Sequence, residues 1–222
     1  MATTVPAVSN IGDRQHLKEF LESVNPSRGR IIMGLDATAS REPTWDAAAH
    51  LTTQMFSTVT AIGGLDAQLV YYRGDNECVA SPWLSNAGAL SASMQRVMCM
   101  AGHTQIQRVL RHIRKENARE KVNAAIIVSD ACEEDPPALY AEPRELNVPL
   151  FMFQEGNDVR VERIYTELAR ITGGAIAKFD SSAAQRLADL LKAVAAFASG
   201  GVKALANQNT EAARLLLTQV KQ

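Results

Sequence analysis

Five oxygen-bearing side chains stand out in this sequence by type and place. Asp36, Thr38 and Ser40 lie in the string Asp36-Ala37-Thr38-Ala39-Ser40, followed at a distance by Thr104 and Asp130. The first three close a short apolar run, RIIMGLD (residues 30–36), and Asp130 closes another, NAAIIVSD (residues 123–130). Neither run shows polar alternation, the pattern of a strand covered on both faces. In an open doubly wound sheet, ligands bind outside the carboxyl ends of the strands, where strand order reverses. Two carboxylates and three hydroxyls delivered there are hard oxygen ligands. They suit Mg²⁺, or Mn²⁺ at similar geometry, with water completing an octahedron. Zinc prefers nitrogen and sulfur. Taken singly, Asp36 or Asp130 could equally cap a neighbouring helix, since aspartate is a preferred cap residue.

The elements that must position these groups follow from apolar spacing. Leu17, Phe20, Leu21 and Val24 predict a first helix over Asp13–Val24, stopped by Asn25-Pro26. After the first strand, Pro43-Thr44 starts a long helix that runs through Leu51, Met55, Phe56, Val59 and Ile62 to Gly63-Gly64. AQLVYYR (residues 67–73) is a second strand, GDN (residues 74–76) a hairpin turn, and residues 77–80 a third strand. Two helical stretches, 86–100 and 105–117, break at Gly102-His103-Thr104. Beyond the strand at 123–130 come a helix over Pro137–Leu146, a strand over Pro149–Gly156 and a helix over Val159–Ile171 closed by Gly173-Gly174. A strand over Ala175–Asp180 and an Ala/Leu-rich helix over Ser182–Ala198 complete the series. The expected class is α/β: a doubly wound, mainly parallel six-stranded sheet with helices on both faces and the hairpin strand as one antiparallel edge. Residues 1–29 form an N-terminal flexible segment and helix, 30–198 the domain, and 199–222 a tail with an amphipathic helix at Thr210–Val220.

Composition narrows the function. The 222 residues carry 23 Lys+Arg against 24 Asp+Glu, a balance that argues against a nonspecific nucleic-acid binder. At 46% hydrophobic and 21% charged, the chain has ample material for one globular core. No apolar run approaches the roughly 20 residues of a membrane-spanning helix. The first residues, MATTVPAVSNIGDRQ, lack the basic and apolar blocks of a secretory leader. Cys78, Cys99 and Cys132 are odd in number and widely spaced, so they read as reduced thiols in a cytoplasmic protein. There is no phosphate-cradling GxxxxGK, no dinucleotide GxGxxG and no GxSxG nucleophile elbow.

In this strand context Asp36, Thr38, Ser40, Thr104 and Asp130 resemble the metal-ion-dependent adhesion site of von Willebrand factor A domains: Asp-x-Ser-x-Ser, a distant Thr and a distant Asp. The resemblance covers about residues 30–198. It departs at Thr38, where the family usually has Ser, and at Ala131, where a glycine often follows the aspartate. The resemblance implies a Rossmann-like fold, a Mg²⁺ (or Mn²⁺) ion held by these five residues, and no catalysis. It also implies one open metal position that a partner's Asp or Glu fills. Intracellular bacterial-type members resembling this one work with ATPase motors or chaperone-like assemblies, so the implied role is a cytoplasmic scaffold or adaptor. Glu133, Glu134 and Asp135 could repel such a partner or compete for the metal. Two alternatives remain: an assembly subunit with a vestigial metal site, or a Mg²⁺-dependent phosphohydrolase with Asp36 as nucleophile. The latter is weaker, because Thr38 stands where haloacid dehalogenases carry a second aspartate.

Other residues have plainer readings. His103 faces solvent or orients its loop, Trp45 anchors the long helix, and Met98-Cys99-Met100 fills core. Cys132 is the thiol expected near the site. The basic stretch RVLRHIRKENAREK (residues 108–121) is interleaved with Glu116 and Glu120 and reads as a solvated face. The tail helix either docks on the flank of the sheet or serves a partner or a second copy of the chain. Asp36→Ala is expected to abolish metal-dependent capture with the fold intact, and to raise metal-free stability by relieving carboxylate repulsion.

Overall fold

The computed structural model describes residues 28–43, 45–46, 49–50, 53, 65–179 and 184–220. Both unbroken apolar runs become central strands: β1 (Gly29–Asp36) and β4 (Ala124–Ser129) are buried at every residue. Around them lie β2 (Leu65–Arg73), β3 (Glu77–Ala80), β5 (Leu150–Glu155) and β6 (Ala175–Phe179). The order is β3-β2-β1-β4-β5-β6. Every pairing is parallel except the β2–β3 hairpin. This is the doubly wound sheet with one antiparallel edge that the run pattern predicts. The chain steps from β1 to β2 on one side and returns to β4 on the other, so the switch point lies between the ends of β1 and β4.

The helices whose bounds lie among the described residues are α1 (Ala87–Met94), α2 (Ile106–Arg119), α3 (Pro136–Ala141), α4 (Val159–Thr172), α5 (Ala184–Asn207) and α6 (Glu211–Leu217). Alternation along β1 divides the core between the two faces. Ile31, Met33 and Leu35 pack with Leu90 of α1, Leu190 and Val194 of α5, and Trp45. Ile32 packs on the other face with Val109 and Ile113 of α2 and Ile164 and Leu168 of α4. In α2 the buried positions Ile106, Val109, Leu110 and Ile113 keep the 3, 4, 7 spacing of an amphipathic helix. Gly173 closes α4 in the left-handed conformation at φ 72°.

Several expectations change. The stretch 86–100 is helical only to Met94. Residues beyond it leave the helix and cross the ends of β1 and β2, where Met100 N donates to Ala37 O at 3.0 Å and His103 N donates to Gly74 O at 3.3 Å. Strand-end carbonyls thus take amides that a helix would have used. Met98 and Met100 are consequently 74% and 46% exposed instead of filling core. The helix expected over 137–146 ends at Ala141 and continues as a 3-10 turn, Glu142–Glu145. The helix over 13–24, residues 54–64 of the long helix and residues 181–183 lie outside the described residues; the described members of 42–53 are helical.

The tail shares the core. Helix α5 runs on past Ala198 to a kink at Gly200-Gly201, where Gly201 adopts φ 64°. Leu205, Ala213 and Leu216 are fully buried in the cluster of the β1–α5 face. Gln219 Oε1 accepts from Ile176 N at 2.9 Å while its Nε2 donates to Ile176 O at 3.0 Å. This amide takes the place of a neighbouring strand on the free edge of β6. Gln219→Ala is expected to cost about 0.5–1.5 kcal/mol in urea unfolding, the net worth of an exchanged hydrogen bond, with faster amide exchange at Ile176.

Candidate metal centre

β1 brings Asp36 to the carboxyl end of the sheet level with Tyr72 of β2. On the other side Leu35 pairs with Val128, so Ser129 follows at the next level of β4. Asp36 is 1% exposed. Its Oδ1 accepts from Thr38 N at 2.8 Å. Its Oδ2 accepts from Ser129 Oγ at 2.5 Å and from the Tyr72 hydroxyl at 3.1 Å. Burial pushes the Asp36 carboxyl above the usual range; the Ser129 and Thr38 hydrogen bonds oppose this, and the charge of Asp130 adds to it. Tyr72 and Tyr165 are buried neutral phenols, both shifted well up by desolvation, and the Tyr165 hydroxyl donates to Ala131 O at 2.6 Å.

Thr38 precedes the 3-10 turn Ala39–Arg41 in extended conformation. Its Oγ1 lies 3.2 Å from Ser40 Oγ. Asp130 enters from the end of β4 with its Oδ1 buried and without a hydrogen-bond partner among the described residues. A buried polar atom left unpaired is costly, and a carboxylate oxygen in that state invites a cation. Thr104 is held differently: its N donates to Glu133 Oε2 at 2.9 Å, and its Oγ1 accepts from Glu133 N at 2.9 Å. That reciprocal pair ties the Thr104 loop to the loop after Asp130. Among the described residues no hydrogen bond joins Thr104 to Asp36, Thr38 or Ser40. The structure therefore gathers the first-loop residues directly, sets Asp130 within their electrostatic reach, and holds Thr104 one loop away.

The three acids after Asp130 are engaged elsewhere. Glu133 holds Thr104 and lies 3.2 Å from His103 Nδ1, on an exposed imidazole. Glu134 accepts from Ile106 N at 2.9 Å and Gln107 N at 2.7 Å, so it caps α2. Asp135 accepts from Ala138 N at 3.4 Å and caps α3. Cys132 is buried, and desolvation pushes its thiol up to about 12, which leaves it unreactive.

Two residues near the centre, Tyr72 and Arg41, escape spacing arguments. Tyr72 and Ser129 reach Asp36 only through the strand register. Arg41, 2% exposed, pairs with Glu155 at the end of β5 and feels the charges of Asp130 and Asp36. Among the described residues no three His, Cys, Asp or Glu side chains converge on a metal position. A cation here would rely on hydroxyls and water beside two carboxylates. That is a donor set for a hard divalent ion, and the unpartnered Asp130 Oδ1 fits it. Asp36→Ala would strand the Thr38, Ser129 and Tyr72 donors, so a loss of metal-free stability replaces the gain expected from carboxylate repulsion alone.

No protein-family model matches the chain, and no curated protein matches it. Solved structures do share its fold. A von Willebrand factor type A protein from Catenulispora acidiphila superposes with a TM-score of 0.64 at 17% identity, over 78% of this chain and 43% of that one. The chain thus spans less than half of that protein. The vWF domain of the type V pili tip protein Mfa5 from Porphyromonas gingivalis gives a TM-score of 0.57 at 11% identity, over 75% and 95%. Proximal thread matrix protein 1 from the mussel byssus, with a zinc-occupied MIDAS motif, gives 0.54 at 14% identity, over 76% and 46%.

Proposed function

Starting from a von Willebrand factor A fold, we propose that the chain is a divalent-cation-dependent protein-interaction module without catalytic activity. In this reading Asp36, Thr38, Ser40, Thr104 and Asp130 hold Mg²⁺ or Mn²⁺, and an Asp or Glu of a partner protein completes the coordination. The observation that carries it is the buried Asp130 Oδ1, which has no hydrogen-bond partner among the described residues and whose charge acts on the buried Asp36 carboxylate. When bound, the ion supplies an electrophilic site for an incoming carboxylate. The chain's own residues then have separate tasks. Ser129, Tyr72 and Thr38 N orient Asp36, and Glu133 fixes Thr104. Ala37 O anchors the segment that carries Thr104. A cytoplasmic scaffold or adaptor, serving an ATPase or chaperone-like assembly, is the setting that fits the reduced thiols. Among the described residues no helix is long and apolar enough to cross a membrane. A second reading, an assembly subunit whose metal site is vestigial, is favoured by one observation, the buried cation Arg41 in the turn that carries Ser40.

Carboxylate capture is tested by NMR of two capped peptides, one with aspartate and one with asparagine, in the presence of Mn²⁺-loaded protein. The aspartate side-chain signals should broaden with the wild type, while the asparagine peptide and the Asp36→Asn protein give no such effect. Equal broadening of both peptides would exclude capture at the metal.

A further inference from the structure

Arg41 follows Ser40 directly, at the end of the 3-10 turn that forms the first ligand loop. A guanidinium keeps its charge in proteins, and burying it demands partners. At 2% exposure Arg41 meets that demand with Glu155, itself nearly covered at the carboxyl end of β5. The same charge lies in the fields of Asp130 and, next, Asp36, which both favour the ionised guanidinium against its burial. Two carboxylates assembled for a dication therefore already share their surroundings with a fixed monocation. In the sheet β4 lies between β1 and β5, so an ion pair from the turn after β1 to the end of β5 passes the end of β4, which Asp130 follows directly.

We propose that Arg41 is the built-in counter-cation of this centre: it compensates Asp36 and Asp130 when no metal is bound and lowers the affinity for a divalent ion, with Glu155 setting how strongly. This rests on the metal-binding reading above. Two like charges in a partly buried site repel far more than in water, so removal of one strengthens binding of the other. Glu155 draws the guanidinium's field away from the ligand loop, so its loss turns that field onto the metal position.

The test uses the full chain, with MnCl₂ titrated calorimetrically into wild type, Arg41→Gln and Glu155→Gln, and thermal unfolding of each in EDTA. Arg41→Gln should bind Mn²⁺ about tenfold tighter or more while melting lower without metal, and Glu155→Gln should bind it more weakly. Affinities for Arg41→Gln and wild type that agree within about twofold would overturn the proposal, since that is the result a purely structural tether gives. If Arg41→Gln does not fold, unweakened binding by Glu155→Gln overturns it alone. Binding by Arg41→Gln with none by wild type supports the counter-cation and removes metal-dependent capture from the native chain. Absence of binding in all three overturns both.

Discussion

Thermal unfolding of the wild-type chain should shift upward when EDTA is replaced by Mg²⁺ or Mn²⁺, saturably, and the shift should vanish in Asp36→Asn. A ligand that binds only the native state stabilises it by about 2.7 kcal/mol at 100 times its dissociation constant. For a chain of this length that is a rise of roughly 5–10 °C in Tm. Asparagine is the informative replacement because it keeps an acceptor for Thr38 N and an amide group that the Ser129 and Tyr72 hydroxyls can meet. It also removes a buried negative charge. The Asp36 carboxyl is raised in the folded state, so the native protein binds more protons than the unfolded chain between the ordinary aspartate value and the folded one. Metal-free stability therefore falls as pH rises through that window. At neutral pH Asp36→Asn should consequently melt higher than wild type in EDTA, with the gap closing on acidification. A metal shift preserved in Asp36→Asn would remove Asp36 from the centre.

Gly102→Ala is expected to be the most damaging single-methyl change near the site. A Cβ there would lie 2.1 Å from Gly74 O, 2.2 Å from Gly74 C and 2.3 Å from Gly74 Cα. These are backbone atoms of the β2–β3 turn, which cannot rotate aside. The clash must displace the segment after α1, breaking the bonds from His103 N to Gly74 O and from Met100 N to Ala37 O. Overpacking of this kind costs about 1–3 kcal/mol, occasionally more. Because the same segment carries Thr104, metal affinity should weaken with stability. Gly88→Ala in α1 is the control: its Cβ would make an ordinary 3.5 Å contact with Asn86 Oδ1. Alanine there should stabilise by roughly 0.5–1 kcal/mol through helix propensity. Chemical denaturation of both variants, with Mn²⁺ titration of the first, checks the pair. Wild-type stability in Gly102→Ala would mean that this crossing segment is not held against the turn.

The sheet was legible because burial on both faces leaves a mark in composition. Residues 30–36 and 123–130 carry no polar alternation, and they became the two central strands. Turn chemistry marked the hairpin at Gly74–Asn76 and the glycine cap at Gly173. Chain order alone puts Asp36, Thr38, Ser40 and Asp130 at strand ends beside the switch point, since ladder polarity puts every parallel strand's end on one side of the sheet. Residues 98–103 were not legible, because Met100 N and His103 N donate to Ala37 O and Gly74 O, carbonyls far away in sequence, while local spacing still reads as helix. The tail helix was equally ambiguous: its leucines suit a flank or a partner alike, and the contacts of Leu216 and Gln219 decide for the flank.

In this protein the sequence by itself determined the fold class, the switch point and which oxygen-bearing side chains stand at it, all of which depend on residue type and period. Only the tertiary structure decided the charge balance there. The register sets Tyr72 and Ser129 against Asp36. The folding of β5 beside β4 brings Glu155 to Arg41. Such pairings depend on distances across strands that one-dimensional spacing does not encode, and in a buried site those distances set the electrostatics.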